Sequence, residues 1–471
     1  MLRRTPRVCP GTLESVPFRP RIERRSRRES GTASSMSGEA HRSHLIDLRP
    51  FRTSPAFTRM WIGSTLAGLG GQLTIVAIML QMYDLTGSTF AVSMIAVAGL
   101  VPMIIAGIYG GMLADAFDRR AVALIAATVT FGSTALLAAL TWADLETVWW
   151  LYALSIVNSA ANSIVLATRQ AIVPRLLPRE LLAAASALGG ITVGIMVMAG
   201  PALAGVLVAL TGYAWTYTLD VILMTSLFLG LWTLPALRPE GEIVRPGLES
   251  LRDGWRFLRR ASNIRLQFIL DIIAMTFGQP LSLFPAIGAV LLGGGPITTG
   301  LLTASVAAGA FASSLFSGRI GGVRHQGLGI QRAILVYGGA IAALGLVLAA
   351  AALGWLAPPA VDADTPNVVL IGLACLVLAV SGAADNISSI FRNTMVQAAV
   401  PDAIRGRLQG IFIVVVAGGP RLGALYAGTL ATLTALWFPP LLGGFIIIAL
   451  VATLVRASPR FRAYDAENPV P

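Results

Sequence analysis

Lysine is absent from this chain of 471 residues, so all 35 of its basic residues are arginine. A P-loop and a Schiff base both need a lysine, which argues against ATP hydrolysis and lysine-based covalent catalysis. Histidine is nearly absent too, and the three that occur lie in polar segments: His41, His44 and His325. They cannot form a buried catalytic triad or zinc site. We therefore expect no enzyme, no metal site and no cofactor.

Charge is also scarce, since charged residues make up 12% of the chain and about 25% of a typical soluble domain. Hydrophobic residues make up 55%, and the mean hydropathy is +0.74. The two cysteines, Cys9 and Cys375, lie in a polar tail and an apolar segment, which predicts free thiols. This composition indicates a membrane protein with many spans.

Twelve apolar stretches follow one another, each close to or above the roughly 20 residues that a membrane-spanning helix needs. The predicted spans are residues 57–83, 89–114, 120–141, 147–168, 183–210, 213–234, 264–291, 297–317, 328–356, 367–390, 405–431 and 433–456. The sequence therefore predicts an all-α membrane protein with twelve transmembrane helices.

Polar segments divide the chain into two halves of six spans. Residues 1–56 are arginine-rich without an apolar signal region, which predicts a disordered cytoplasmic tail, with Met36 as an alternative translation start. Within the linker, Leu248–Arg260 predicts either an amphipathic helix on the membrane surface or a solvated helix. The expected divisions after the tail are an N-terminal bundle at 57–234, a linker at 235–263, a C-terminal bundle at 264–456 and a cytoplasmic tail at 457–471.

The net charge of +12 would suit a nucleic-acid-binding protein, but the arginines are placed differently. They cluster in the tails and in every second connection between spans, whereas the alternate connections, such as those near Asp84 and Asp144, carry none. This is the positive-inside pattern of a multi-pass membrane protein. We expect a bacterial inner (cytoplasmic) membrane protein with both termini cytoplasmic, surrounded by the lipid bilayer and binding no nucleic acid.

The two halves share a weak internal repeat. At a constant offset of 223 residues, Arg169 matches Arg392 and Gly200 matches Gly423, and the pair Ala204–Gly205 matches Ala427–Gly428. Chance is a live alternative for so few identities. Two related six-helix halves are the simplest explanation, and such repeats are typical of transporters.

A cluster of charge follows the second apolar stretch, where residues 110–120 read GGMLADAFDRR. Gly111, Asp115, Arg119 and Arg120 fit the pattern G-x-x-x-D-x-x-G-R-[RK], and Asp118 replaces its second glycine. This loop resembles the signature loop of the major facilitator superfamily (MFS). The runs TSPAFTRMW, GYAWTYTL and LRDGWRFLRRA resemble its enterobactin-exporting branch. The likeness covers about residues 45–460.

The resemblance implies the MFS fold, two pseudo-repeated bundles of six helices with a cavity between them. It also implies a conformational latch at Gly111, Asp115, Asp118, Arg119 and Arg120. In the family the acid corresponding to Asp115 faces the cytoplasmic start of the eleventh helix, where unsatisfied N–H groups carry partial positive charge. The alternative is that these charges only cap helices and set orientation.

The fifth predicted span contains GIMVMAGPALAG, which resembles the antiporter-associated motif with G-P-x-x-G-G. The matching or motif-related residues are Gly194, Gly200, Pro201 and Gly205, and Ala204 replaces the first glycine of the final pair. Proline bends a helix and small residues let helices approach closely, so plain helix packing is the alternative to an antiporter function.

Ionisable residues inside the predicted spans are costly and therefore suggest function. Asp271, Asp385 and Arg421 fall in the seventh, tenth and eleventh spans, and the seventh and tenth line the cavity by resemblance. They are candidates for proton coupling, with Arg421 able to pair with either acid. The alternative is a structural ion pair, for instance between Asp385 and Arg392, which share a helix face. Asp220, in the peripheral sixth span, is expected to be structural.

Amide side chains in the predicted spans are candidates for the substrate cavity, although they could instead bond to neighbouring helices. They are Gln72, Gln81, Asn158, Asn162 and Gln279. We expect a monomeric secondary transporter, most simply a proton-coupled exporter of small organic molecules such as drugs or siderophores, working by alternating access. An importer of the same fold and a non-transporting membrane sensor or scaffold are the alternatives.

Overall fold

The computed structural model describes residues 47–235, 255–316, 323–355, 366–400 and 402–469, with the side chains of residues 115, 183 and 402–417 not described. All of these residues belong to one compact unit. Throughout these ranges the chain is helical or in connections, and its one β-type feature is an isolated bridge between Asp465 and Asn468. The predicted all-α fold class is confirmed.

The long helices are numbered here in chain order. They are α1 (Pro55–Thr86), α2 (Thr89–Ala116), α3 (Arg119–Trp142), α4 (Val148–Leu176), α5 (Leu182–Trp232), α6 (Ser262–Phe277), α7 (Gly295–Ser314), α8 (Gln326–Ala352), α9 (Val368–Ala399), α10 (Asp402–Leu433) and α11 (Phe438–Arg456). Shorter helical segments are Arg49–Thr53, Arg179–Leu181, Leu281–Leu283, Phe284–Ala286, Ile287–Leu291 and Pro459–Arg462.

Within the described ranges, ten helical stretches are long and apolar enough to cross a membrane. The predicted fifth and sixth spans fall within the single element α5, which is broken at Gly212 by a non-helical backbone (φ 80°, ψ 179°). The predicted eleventh span corresponds to α10, a further helix of 32 residues that is not among the ten. The exact number of twelve crossings stays a prediction.

Local sequence explains several helix boundaries. Ser54 and Ser88 cap the starts of α1 and α2 by accepting hydrogen bonds from backbone N–H groups of the first turn. Asp118 and Asn367 do the same for α3 and α9. At the end of α1, Gly87 adopts the left-handed conformation (φ 61°) that closes a helix and suits glycine. The capping side chains and the glycine therefore explain where these helices begin and end.

The sequence predicted one continuous helix over residues 264–291 as the seventh span. The structure shows that this span is interrupted. The helix α6 ends at Phe277, and Gln279–Pro280 lead into a 3₁₀ turn and then a π-helical segment. Proline removes a backbone donor and interrupts the helical ladder. The Tyr337 hydroxyl of α8 donates to the carbonyl oxygen of Gly278 at 2.6 Å, which satisfies a backbone group at the break.

The structure describes part of both predicted tails, and the disorder predicted for residues 1–56 does not extend to their last residues. Residues 1–46 lie outside the described residues, but Arg49–Thr53 is helical and α1 already begins at Pro55. At the other end, Pro459–Arg462 folds back on the C-terminal bundle, with Phe461 only 1% exposed. Asp465 forms an ion pair with Arg324 at 2.7 Å. Of the predicted linker helix, only residues 255–260 are described, and they are helical.

Candidate transport site

The two halves of the molecule meet closely at what we call the arginine-free ends of the helices, next to connections without arginine. These ends lie at residues 86–89, 142–148, 291–295 and 433–438, and at the break of α5 near residues 211–213. A Cβ on Gly205 of α5 would overlap the carbonyl oxygen of Pro296 at the start of α7, so the two backbones touch. In α7, Gly300 lies equally close to the carbonyl oxygen of Pro201.

A second contact between the halves joins α2 to α10 at the same ends. The Thr89 hydroxyl of α2 donates to the carbonyl oxygen of Gly428 at 3.0 Å and lies 3.0 Å from the Thr432 hydroxyl. A side chain on Gly428 would overlap Ser93 and Thr89. Gly205 and Gly428 are partners in the repeat noted in the sequence. The two halves are thus joined by a pair of pseudo-symmetric glycine contacts that close the arginine-free side.

The antiporter-like motif of the fifth span lies along these contacts. Pro201 and Gly205 pack against α7, while Gly200 packs against Gln72 of α1, within the same half. Gly194 has more room, because its nearest neighbour, Phe311 of α7, is 3.9 Å from the position of a Cβ. The motif therefore supplies close packing both within and between the halves.

An ion-pair cluster lies inside the C-terminal half. Arg392 of α9 forms a short ion pair with Asp271 of α6, and its other terminal nitrogen lies 3.5 Å from an Asp385 oxygen. The Asp271 side chain is 5% exposed and that of Arg392 12%, but that of Asp385 is 39% exposed. One arginine thus joins two carboxylates, of which one is enclosed and the other accessible.

The arginine of this cluster differs from the expected one. Among the described side chains, Asp271 and Asp385 pair with Arg392 and not with Arg421. Arg421 instead crosses from α10 to the other half, where its guanidinium lies 3.0 Å from the sulfur of Met103 in α2. The spacing of Asp385 and Arg392 was the one sequence signal for this cluster, although it suggested a pair at the membrane rim.

The predicted latch is described in part. Asp118 caps α3, and Arg119 donates to the carbonyl oxygens of Ala114 and Ala171 at 3.1 and 3.2 Å, joining the end of α2 to α4. The Arg120 guanidinium lies 5.9 Å from the ring centre of Trp232. The side chain of Asp115 lies outside the described residues. The same is true of Arg405 and Arg407, at the start of the helix that Asp115 is predicted to face.

The two glycines of the loop, Gly110 and Gly111, have different surroundings. A Cβ at Gly110 would meet Ile164 of α4, whereas a Cβ at Gly111 would meet no atom within 4 Å. At this end of the two helices, Gly110 and not Gly111 therefore allows the close packing of α2 on α4.

The five candidate cavity amides are not equivalent. Gln81 is buried and accepts a hydrogen bond from the Tyr217 hydroxyl at 2.7 Å, and Asn158 donates to hydroxyls of α3 at 3.1 and 3.3 Å. These two amides bond to neighbouring helices. Gln72 and Gln279 are half-buried, and Asn162 is exposed. Asn162 is the amide best placed to meet a ligand.

Asp220 is buried in the N-terminal half, at 1% exposure. The Thr74 hydroxyl of α1 donates to its carboxyl group at 2.5 Å, and a Cβ on Gly70 would overlap the same group. Tyr217 binds Gln81 and Tyr213 binds Asp84 along the same pair of helices. The carboxyl group belongs to a polar seam between α1 and α5, which agrees with the structural role expected for it.

Helices that cross a membrane, a pseudo-symmetric pair of halves and charged groups within the spans together define a multi-pass membrane transporter of the MFS type. Comparison with known families agrees, since residues 46–471 match the MFS family described as transmembrane secretion effector. The chain belongs to that family, and the resemblance to the MFS is confirmed.

Curated relatives cover nearly the whole chain. The enterobactin exporter EntS of Citrobacter koseri is 28% identical over 432 residues, which cover 91% of this chain and 98% of the relative. EntS of Shigella boydii is 27% identical over 424 residues, covering 88% and 96%. EntS of Escherichia coli is 27% identical over 437 residues, covering 90% and 99%. The protein is therefore a membrane transporter related to enterobactin exporters.

Solved structures show the same fold at lower identity. The xylose transporter XylE from E. coli, in an inward open conformation, has a TM-score of 0.61 and 14% identity and covers 87% of this chain and 98% of its own. The nucleoside transporter NupG has a TM-score of 0.62 and 16% identity, with coverage of 85% and 98%. A POT family transporter has a TM-score of 0.66 and 12% identity, with coverage of 86% and 96%.

Proposed function

We propose that the protein is a monomeric, proton-coupled exporter of small organic molecules that works by alternating access in a bacterial inner membrane. The observation that carries the proposal is the cluster of Asp271, Arg392 and Asp385, which places an accessible carboxylate next to an enclosed ion pair. The family description and the names of the EntS relatives support export, with enterobactin as one test substrate. The arginine distribution supports an orientation with both termini cytoplasmic.

Within the cluster, Asp385 is the proposed proton carrier. Its side chain is the more exposed of the two acids, and its distance to Arg392 is long for an ion pair. Protonation of Asp385 would remove its negative charge, and Arg392 would then pair with Asp271 alone. The position of the guanidinium would therefore depend on whether Asp385 is protonated. Such a change at the interface of α6 and α9 would bias a two-state equilibrium between conformations.

The glycine contacts at the arginine-free ends supply the proposed outer gate, and the loop at residues 110–120 the proposed inner latch. The backbones touch at Gly205, Gly300 and Gly428, so these contacts close the face tightly. Asp115 facing the start of α10 would favour the opposite, outward-open state. Asp115→Asn is expected to reduce export while leaving insertion into the membrane intact.

The test is transport in bacterial cells without their major pumps, with a fluorescent cationic dye and with enterobactin secretion as separate readouts. Wild-type protein should lower dye accumulation or raise secreted enterobactin, and a protonophore should abolish the effect. Asp385→Asn should abolish it as well, whereas the matched control Asp144→Asn, at an exposed acid of an arginine-free connection, should not. Flux insensitive to both the protonophore and Asp385→Asn would remove proton coupling, and raised accumulation would indicate import.

A further inference from the structure

The close contacts of glycine residues show which positions of the N-terminal half correspond to which positions of the C-terminal half. In the N-terminal half, Gly68 of α1 packs on Met196 of α5, and in the C-terminal half Met275 of α6 packs on Gly419 of α10. Gly68 and Met275 lie 207 residues apart, and Met196 and Gly419 lie 223 apart. The large and small partners have exchanged places at equivalent positions, which preserves the packing.

The same two offsets hold for other helices. Gly99 of α2 faces Ser159 of α4, and, at offsets of 207 and 223, Val306 of α7 faces Gly382 of α9. The pair Gly200 and Gln72 likewise corresponds to Gly423 and Gln279, which are also in contact. The correspondence therefore covers α1, α2, α4 and α5 on one side and α6, α7, α9 and α10 on the other.

Applied to the ion-pair cluster, these offsets reveal an asymmetry between the halves. Arg392 corresponds to Arg169, but Asp271 corresponds to Ser64 and Asp385 to Asn162. The N-terminal half has thus kept the arginine, while neutral side chains stand at the positions of both carboxylates. Among the described side chains, no carboxylate forms an ion pair with this arginine in place of the two acids.

The surroundings of Arg169 agree with this. Arg169 is half-buried in α4, and its Nε atom is enclosed without a hydrogen-bond partner among the described residues. In the same ranges it makes no ion pair, and the Ser64 hydroxyl is engaged by the Met60 carbonyl oxygen at 2.6 Å. Asn162 is exposed and lies seven residues before Arg169, on the same face of α4. A partly buried guanidinium without an anion is costly, so a ligand that supplies one is strongly favoured.

We infer that Arg169 and Asn162 form a binding site for an oxyanion group, such as a carboxylate or phosphate, of a small organic substrate. The guanidinium would take two anionic oxygens side by side, and the Asn162 amide would donate to a third acceptor. This inference names the substrate class of the exporter proposed above and rests on that proposal for its biological meaning. A lipid headgroup phosphate offers the same chemistry, so the experiment must separate the two sources.

The experiment measures binding to purified protein in nanodiscs, at constant pH and without a gradient, so that it is independent of proton coupling and transport. The probes are dansylglycine, a carboxylate, and dansylglycinamide, its neutral amide, followed by fluorescence. Wild-type protein should prefer the carboxylate, and Arg169→Gln should lower that preference roughly 10- to 100-fold, the range expected for a charged hydrogen bond. Arg175→Gln, at an exposed arginine of the same helix, should leave it unchanged.

A second variant guards against loss of folding. Asn162→Asp restores the acid found at the equivalent position of the other half, so Arg169 would gain a partner within the chain and the carboxylate preference should disappear in a well-folded protein. Equal binding of both probes by wild-type protein, or an unchanged preference in Asn162→Asp, would overturn the inference. Weaker carboxylate binding in phosphatidylglycerol nanodiscs than in nanodiscs of a phosphate-free galactolipid would assign the site to lipid phosphate and overturn the inference. Equal binding in both would assign it to the organic substrate.

Discussion

Gly205 of α5 lies directly against the backbone carbonyl of Pro296 in α7, with no space for a side chain between them. This contact joins the two halves of the transporter at the arginine-free ends. Because neither partner is a flexible side chain, even one added methyl group must push the helices apart. The closed state of this face therefore depends on glycine at position 205.

Gly205→Ala is expected to destabilise the state closed at the arginine-free ends by about 1–3 kcal/mol, the usual cost of overpacking. The conformational equilibrium should then shift toward opening of that face. Spin labels placed on exposed residues just before the break of α5 at Gly212 and in the first turn of α7 should move apart in distance measurements. The matched control is Gly189→Ala in the same helix, where a Cβ would meet no atom within 4 Å. Equal distance distributions in the two variants would contradict the proposed gate.

Removal of one partner of the enclosed ion pair is expected to lower the stability of the folded protein. Asp271→Asn leaves the Arg392 guanidinium, which is 12% exposed, without its close carboxylate. Breaking a buried pair in this way typically costs about 3–5 kcal/mol, so thermal unfolding in detergent should begin at a clearly lower temperature. The double variant Asp271→Asn with Arg392→Gln should recover part of the loss. Asp385→Asn should change stability much less, because that side chain is 39% exposed.

Hydropathy and arginine placement were sufficient to predict the helices and the fold class, since bilayer thickness and backbone hydrogen bonding leave few alternatives. They could not identify the partner of Asp271, because the acid and Arg392 lie 121 positions apart and hydropathy does not determine how a helix is rotated about its axis. An arginine near a helix end also looks like an orientation signal. The break after Phe277 was missed although Gly278 and Pro280 mark it, since the apolar pattern continues across them.

The repeat was recognisable in only part of the chain for a physical reason. Identities survive where a glycine contacts backbone, as at Gly205 and Gly428, because no other residue fits. Where side chains pack on each other, the two partners can exchange sizes, as Gly68 and Met196 do relative to Met275 and Gly419. Such exchanges keep the packing but remove the sequence identity. The offset of 207 residues could therefore be recognised only from the contacts in the structure.

The contact between Arg324 and Asp465, which holds the C-terminal segment, is expected to respond to acid. The pKa of Asp465 is lowered to about 2, first by its hydrogen bond from Arg324 and also by the backbone N–H of Glu467. Because the folded pKa lies below the ordinary value of about 3.9, the contact contributes fully above about pH 4 and is lost as the pH falls toward 2. Its contribution should also weaken in high salt, since the Arg324 side chain is solvent-exposed and that of Asp465 is only half-buried.

Hydrogen exchange provides the measurement for this contact. The Ala466 N–H donates to the Arg324 carbonyl oxygen at 3.0 Å, so its protection, corrected for the intrinsic exchange rate, should fall between about pH 4 and pH 2. In Asp465→Asn the protection should already be low at neutral pH and should no longer change across this window. Equal protection in the variant and the wild type would show that Phe461 packing alone holds the segment.

Arg119 and Arg120 are neighbours in the signature loop, yet they should differ sharply in their effect on stability. Arg119 donates to carbonyl oxygens of Ala114 and Ala171, and Arg119→Gln would leave these acceptors without that donor at a cost of about 1–3 kcal/mol each. Arg120→Gln removes a cation–π contact with Trp232 worth about 0.5–1 kcal/mol. Thermal unfolding of the two variants in the same detergent should place Arg119→Gln well below Arg120→Gln. Since both substitutions remove one positive charge from the same loop, a purely orienting role would predict equal losses, and that result would refute the structural role assigned to Arg119.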